Sequence, residues 1–376
     1  MASVGRDATP DGGRFQSDAG CRIGYVGSLS STVLVLVFVA AAVATWVAGT
    51  ALSKTTDVLD RRFGLGEALG GVILLAVAGS LPEVAITVSA AAKGNLGLAA
   101  GNLIGGVAVQ TLVLVVCDAV ASRDQALTYL VGKLVPVLEG LLVIFVVCGV
   151  LMGSLLPEST SIGPVSPASL GIVLAWFSGV YAINAARKAP RWKIDMPGSR
   201  PGRPHHRVPP PKATSSPLTE STARALTIFG VGCTVTLVAG VVLETAGNDL
   251  ANRAGINGVI FGATVLAVAT ALPEISSGVA AVRLGDNELA VADIFGGNAF
   301  QVCLFLVADV IAGKPVLPTA GHQNSWLAVL GIALTVIYAY GVIIRREGCV
   351  LRLGVDSMLA LGVFGLGIAG LVVVHA

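Results

Sequence analysis

The stretch from Gly70 to Leu114 recurs without a gap from Phe261 to Phe305, and this duplication constrains the chain more than any other feature. Each copy carries an apolar run, Leu-Pro-Glu (81–83 and 272–274), a small-residue stretch, a basic residue (Lys93; Arg283), and Gly-Gly followed four residues later by Gln (Gln110; Gln301). Seventeen aligned positions are identical, among them Pro82, Glu83, Gly105, Gly106 and Gln110. A bias toward Ala, Gly and Val produces chance matches, but not paired Pro-Glu and Gln residues at one offset.

The duplicated segment sits in a chain that is 54% hydrophobic and 12% charged, with a mean hydropathy of +0.83. That is too apolar for a soluble domain, and several runs of about 20 apolar residues read as membrane spans. Backbone groups in a bilayer must pair within their own segment, so these runs are helices; the short alternating segments of a barrel are absent. Ten spans are expected, near 31–51, 67–92, 97–119, 127–152 and 168–187, then 224–244, 258–282, 289–311, 325–344 and 354–374. The fold class is an all-α membrane protein of ten transmembrane helices in two five-helix repeats.

Residues 1–30 are polar and Gly/Ser-rich and read as a tail, without the charged n-region and apolar core of a signal peptide. The first half is expected over 31–187, with its repeat at 70–114, and the second over 223–376, with its repeat at 261–305. Between them, 188–222 holds eight prolines, many Lys and Arg, and the pair His205-His206, a composition that forms no packed element and reads as a basic linker. A cytoplasmic linker also puts Lys54, Arg61, Arg62, Arg123, Lys133, Arg283, Arg345, Arg346 and Arg352 inside, the side that Lys and Arg favour. Five spans per half then make the two copies antiparallel: an inverted repeat, which builds a midplane site between halves. A plasma or inner membrane is expected.

Glu83 and Glu274 sit within apolar helices, where an ionised carboxylate costs about 2.5–3.5 kcal/mol on insertion scales. Antiparallel copies bring both to one depth, and two such charges share a proton or bind a cation. Oxygen ligands of this kind suit hard ions such as Ca²⁺, and Na⁺ by the same reasoning. Pro82 and Pro273 have no N–H for the carbonyls of Ala78 and Ala269, which become candidate ligands. Ser80 and Thr270 supply one hydroxyl per copy near the Glu, and Gln110 and Gln301 supply amide oxygens. Gly105-Gly106 and Gly296-Gly297 read as close helix packing or as a direct part of the site.

The runs Gly-Ser-Leu-Pro-Glu (79–83) and Thr-Ala-Leu-Pro-Glu (270–274), each followed by a Gly-Gly/Gln helix, resemble the two alpha-repeats of the calcium/cation antiporter superfamily, which includes sodium/calcium and proton/calcium exchangers. The resemblance covers most of 31–375 and implies secondary exchange of a cation, with Ca²⁺ expected, for H⁺ or Na⁺. It makes Glu83 and Glu274 the principal ion ligands and gives Ser80, Thr270, Gln110 and Gln301 secondary positions. Sodium/calcium exchangers usually read Gly-Thr-Ser-Leu-Pro-Glu and then Gly-Ser-Asn-x-x-Asn or -Asp. Here Gly106 and Gly297 replace the later Ser, and Gln110 and Gln301 the Asn or Asp. Fewer oxygens favour the proton-coupled branch, while Leu-Pro-Glu favours the sodium branch, so the counter-ion is open, with a lean toward H⁺.

Asp293 replaces Asn102 of the first copy and reads as an N-cap or interfacial residue, or else as a third carboxylate on the ion path. Asp118 and Asp309 correspond in the repeat and read as structural, and Glu139 has no counterpart and no nameable partner. The six cysteines show no CxxC spacing and read as small core residues; the His pair reads as solvated. His205, His206, His322 and His375 lie outside the spans, and no nucleophile–base set or His-Glu-x-x-His motif indicates an enzyme. No resident cofactor and no nucleic acid are expected, only inorganic cations and the bilayer. A channel or a cation-binding, non-transporting member are the other readings; an inverted repeat favours alternating access over an open pore.

Overall fold

The computed structural model describes residues 30–63, 77–122, 124–188, 222–319 and 321–375. The tail, the linker with His205-His206, and the start of the first repeat (70–76) lie outside the described residues. Among the described residues twelve helices of eight residues or more carry the architecture: α1 Ser31–Phe63, α2 Leu81–Lys93, α3 Leu96–Ala121, α4 Val135–Ser154, α5 Pro167–Lys188, α6 Thr222–Ala254, α7 Gly258–Thr270, α8 Leu272–Arg283, α9 Asn287–Gln301, α10 Leu304–Ala312, α11 His322–Ile344 and α12 Val355–His375. Among the described residues there is no strand, only two isolated β-bridges.

Among the described residues seven helical stretches are long and apolar enough to cross a membrane, with α9 and α10 counted as one, and the bent pair α7–α8 makes eight. Two of the ten expected spans fall short: α2 is described only from Leu81, and α12 has a shorter apolar stretch, Val355–Leu371. Boundaries differ where local chemistry intervenes. The charged connection expected after residue 51 is helical, because α1 runs on to Phe63. The fourth span begins at Val135 rather than 127, since Pro136 is tolerated in a first turn; Leu127–Leu130 forms a separate turn.

α3 is the centre of the molecule: 78% of its apolar window is buried, against 28% for α5 and for α6. A helix apolar on every side belongs inside. The outer helices turn Leu36, Val47, Phe145 and Tyr340 outward, as lipid-facing surfaces do. Small residues bring α3 and α7 backbone to backbone. A Cβ on Gly101 or Gly105 would run into Val259 or Ala263, and one on Gly262 would sit 2.6 Å from the Leu98 carbonyl. A π turn at Gly262–Leu266 widens α7 at this crossing.

The pairings come in matched sets. α1 lies along α6; α1 packs on α8 while α6 packs on α2; α4 packs on α9 while α11 packs on α3; α5 covers α4 while α12 covers α11. The details match too. Gly94 and Gly285, aligned in the repeat, turn the chain at φ 78° and 81°, a region open to glycine, and close the ends of α2 and α8. Asn95 N–H then reaches the Ala90 carbonyl at 2.8 Å, and Asp286 N–H the Ala281 carbonyl at 2.9 Å. Asp118 accepts from the backbones of Leu127 and Gly354, and Asp309 from those of Ser166 and Val316, so both aspartates tie helix ends to loops. Cys117 and Cys303 are buried and Cys148, Cys233 and Cys349 half-buried, all of them free thiols.

Candidate functional site

Both Leu-Pro-Glu motifs fall at helix breaks. α2 and α8 each start at the Leu, with Pro82 or Pro273 and then Glu83 or Glu274 in the first turn, and α8 leaves α7 at 44°. Proline starts a helix readily but cannot continue one. Ala78 and Ala269 are buried just ahead of the breaks. The Ala269 carbonyl, in the last turn of α7, would need the N–H that Pro273 lacks.

The two first helices of the halves hold these breaks through glycine. A Cβ on Gly49 of α1 would lie 2.7 Å from Pro273, and one on Gly240 of α6 2.6 Å from Ala85 and 3.0 Å from the Pro82 carbonyl. Each motif is thus pressed directly against the opposite half.

Glu83 is 0% exposed. Gln110 Nε2 donates to its Oε1 at 3.1 Å, and the Thr270 hydroxyl, from the other repeat, also faces the carboxylate. Glu83 Oε2 has no hydrogen-bond partner. Glu274 is half-buried and lines a small open cleft shared with Ser53, Ser80, Ser277, Asp293 and Gly297. Its Oε2 is also unpartnered. The two glutamates are electrostatic neighbours, and Asp293 acts on Glu274 as a further nearby charge. The structure therefore brings Glu83, Glu274, Ser80, Thr270, Gln110 and Asp293 into one region.

Asp293 is no N-cap. Asp286 caps α9 by accepting from Leu289 N–H at 3.0 Å, and Asp293 lies almost two turns further in, accepting from Ser277 Oγ at 2.9 Å. Gln301 does not mirror Gln110: its Nε2 donates across to the Asn102 and Leu103 carbonyls at 3.1 and 2.9 Å, leaving Oε1 without a partner. Asn102 is fully buried with neither amide atom paired. Buried polar atoms are paired in most structures, so this concentration of unsatisfied oxygens fits a place where a cation is held for part of a cycle. Among the described residues no three His, Cys, Asp or Glu side chains gather into a metal cage; the side chains brought together here are carboxylates mixed with hydroxyls and amides.

Two features escaped sequence reasoning. Ser277 was visible as a hydroxyl one turn after Glu274. Glu244 was hidden: it is fully buried in α6 and accepts from Ser89 Oγ at 2.8 Å, Asn95 Nδ2 at 2.9 Å and Lys93 Nζ at 2.5 Å, fastening α6 to the end of α2. Glu139 gains the partner its sequence did not reveal, Arg187 at the end of α5.

Comparison with known proteins agrees with this geometry. The family model described as "Sodium/calcium exchanger protein" matches residues 33–184 and again 224–374, one match per half. The chain is 25% identical to inner membrane protein YrbG of Escherichia coli (strain K12), over 71% of this chain and 74% of that one. It is 22% identical to the putative antiporter CaxA of Alkalimonas amylolytica, over 78% and 87%. Among solved structures it superposes on the H⁺/Ca²⁺ exchanger CAX with a TM-score of 0.62 at 15% identity, covering 91% of this chain and 90% of that one. It superposes on the sodium-calcium exchanger NCX_Mj with a TM-score of 0.58 at 15% identity, covering 90% and 99%; at such identities these two likenesses speak for the fold. The chain therefore belongs to the sodium/calcium exchanger protein family and is an integral membrane cation exchanger.

Proposed function

We propose that the protein is a secondary antiporter that exchanges Ca²⁺ for H⁺, binding the cation between Glu83 and Glu274 in an inverted pair of five-helix repeats in the plasma or inner membrane. The observation that carries this reading is the convergence of the two repeat glutamates, each with an unpartnered Oε2, on one region that also holds Ser80, Thr270 and Gln110. The matched pairings of α1 with α8 and α6 with α2 support the inverted repeat, because an inversion exchanges the roles of the halves. Ca²⁺ takes six to eight oxygens, which carboxylates, hydroxyls, Gln110 and the carbonyls of Ala78 and Ala269 would supply together.

Exchange requires that the emptied pair be neutralised before the halves move. Two carboxylates close together cannot both stay ionised without a cation, so protons replace the departing ion. A second reading, Na⁺ as counter-ion, is favoured by Asp293 and Ser277 on the cleft, which add a charge and a hydroxyl beyond the two glutamates.

The cleft is lined by Gly49 and Ser53 of α1 and by the first turns of α8, on the side of the breaks from which α1 runs on to 54–63 and α8 to Arg283. By the loop charges this is the linker side, so the state is inward-open, and the Lys93–Glu244 contact closes the outer side. Calcium flux into proteoliposomes under separately imposed pH and Na⁺ gradients decides the counter-ion. Flux driven by Na⁺ at clamped pH, and indifferent to a pH gradient, overturns the proton reading. A tag in the 188–222 linker reached from outside intact cells overturns the orientation.

A further inference from the structure

A second cavity, partly open, lies between α4, α5 and α9, away from the glycine contacts that hold the glutamates. Its walls are apolar, but Glu139, Asn184, Arg187 and Asp293 bring charge and polarity into it. Asp293 and Gly297 line this cavity and also the Glu274 cleft, so the two spaces share a wall. Glu139 is 6% exposed, and while its Oε1 takes the Arg187 guanidinium, its Oε2 has no partner. A buried carboxylate oxygen left unsatisfied in a cavity wall is costly unless a cation or water visits it.

The arrangement belongs to one half only. The residue aligned with Glu139 in the second half is Leu330, which packs its side chain into the space beside Gly367. No second-half acid stands there to line a matching path. Glu139 near the start of α4, Arg187 at the end of α5 and Asp293 in the first half of α9 also lie at one end of the bundle, the end from which the linker leaves. A polar path present in one half of a duplicated protein serves one side of the membrane.

We propose that the α4–α5–α9 cavity is a second entry route for small inorganic cations, leading past the Glu139–Arg187 pair to Asp293 and from there to the Glu274 cleft. The pair acts as the gate. Glu139 draws cations in, Arg187 sets how strongly, and a guanidinium swung away on its long stem leaves two carboxylates in line. The route rests on the exchange reading above.

The test uses the full chain with its native cysteines replaced by alanine, carrying Ala292→Cys in the cavity wall or Thr160→Cys on an exposed loop as a labelled control. Thiol modification by cationic and anionic methanethiosulfonates is timed in lipid nanodiscs, and Ca²⁺ flux is then measured in proteoliposomes made from the labelled protein. The route predicts that Ala292→Cys reacts about tenfold faster with the cationic reagent, that Glu139→Gln removes this preference and that Arg187→Gln increases it. Labelling at residue 292 then lowers flux at least tenfold, and labelling at residue 160 does not. An absent or anionic preference overturns the route. So does reaction in detergent but not in nanodiscs, the mark of a lipid-filled pocket, or full labelling with undiminished flux, the mark of a dead end. Continued exchange by Glu274→Gln would instead remove the underlying two-glutamate site, whatever the labelling shows.

Discussion

The two copies of the repeat share their sequence signature but spend it differently. In the first, Gly105 and Gly106 lie where a Cβ would strike Ala263 and the Gln301 side chain; in the second, a Cβ on Gly296 or Gly297 would meet nothing within 4 Å. Glu83 is sealed behind Gln110, whereas Glu274 opens on a cleft. At the position of α6 that corresponds to Ser53 on the cleft, Glu244 is locked to Lys93, Ser89 and Asn95. Identical motifs thus occupy a closed and an open environment at once. In an inverted repeat that asymmetry is what separates the two sides of the membrane, and a transport cycle would exchange it between the copies.

The largest effect should come from the residues that do not differ. Glu83→Gln and Glu274→Gln should each lower exchange by at least about a hundredfold, roughly 2.7 kcal/mol, because a divalent ion loses a full charge partner in either case. Flux in proteoliposomes measures this, with the elution profile reporting the fold. Near-normal exchange in either variant would mean that the sealed and open carboxylates are not one site.

The closed side is tested next. Lys93→Met leaves Glu244 buried with only neutral partners, and breaking such a pair typically costs about 3 kcal/mol. Thermal stability should fall, and cysteine probes near Asn95 should become reactive as α6 parts from α2. A variant as stable and as closed as the parent removes the latch.

The glycine pair gives the sharpest contrast. Gly105→Ala should destabilise by about 2 kcal/mol through overpacking against α7. Gly296→Ala should change stability by less than about 0.5 kcal/mol, as substitutions into open space do. Equal losses would show that the second copy is packed as tightly as the first.

Asp293→Asn should have the smallest effect on exchange, about a tenfold rise in the Ca²⁺ concentration for half-maximal flux, or roughly 1.4 kcal/mol, because Asp293 adds charge at the cleft without being one of the paired glutamates. If Na⁺ dependence appears in the parent and vanishes in this variant, the counter-ion reading shifts to Na⁺.

By itself the sequence determined the membrane class, the duplication and the placement of most helices, and it singled out Glu83 and Glu274 as candidates. These follow from local rules: runs of about 20 apolar residues must be helices in lipid, and a carboxylate within such a run demands a reason. Helix breaks at Leu81 and Leu272 were legible in Pro82 and Pro273 for the same local cause. Contacts between distant segments decided the rest. Whether Asp293 capped a helix or lined the cleft depended on Asp286 taking the cap and on α8 bringing Ser277 alongside. That Gln301 would reach across to α3 while Gln110 stayed with its own Glu83 could not be read from two identical Gly-Gly-x-x-x-Gln motifs. Arg187 is far from Glu139 in the chain, and Glu244 is remote from Lys93, so no periodicity points from one to the other. A repeated sequence specifies two equal local structures; only tertiary packing can make one of them open and the other closed.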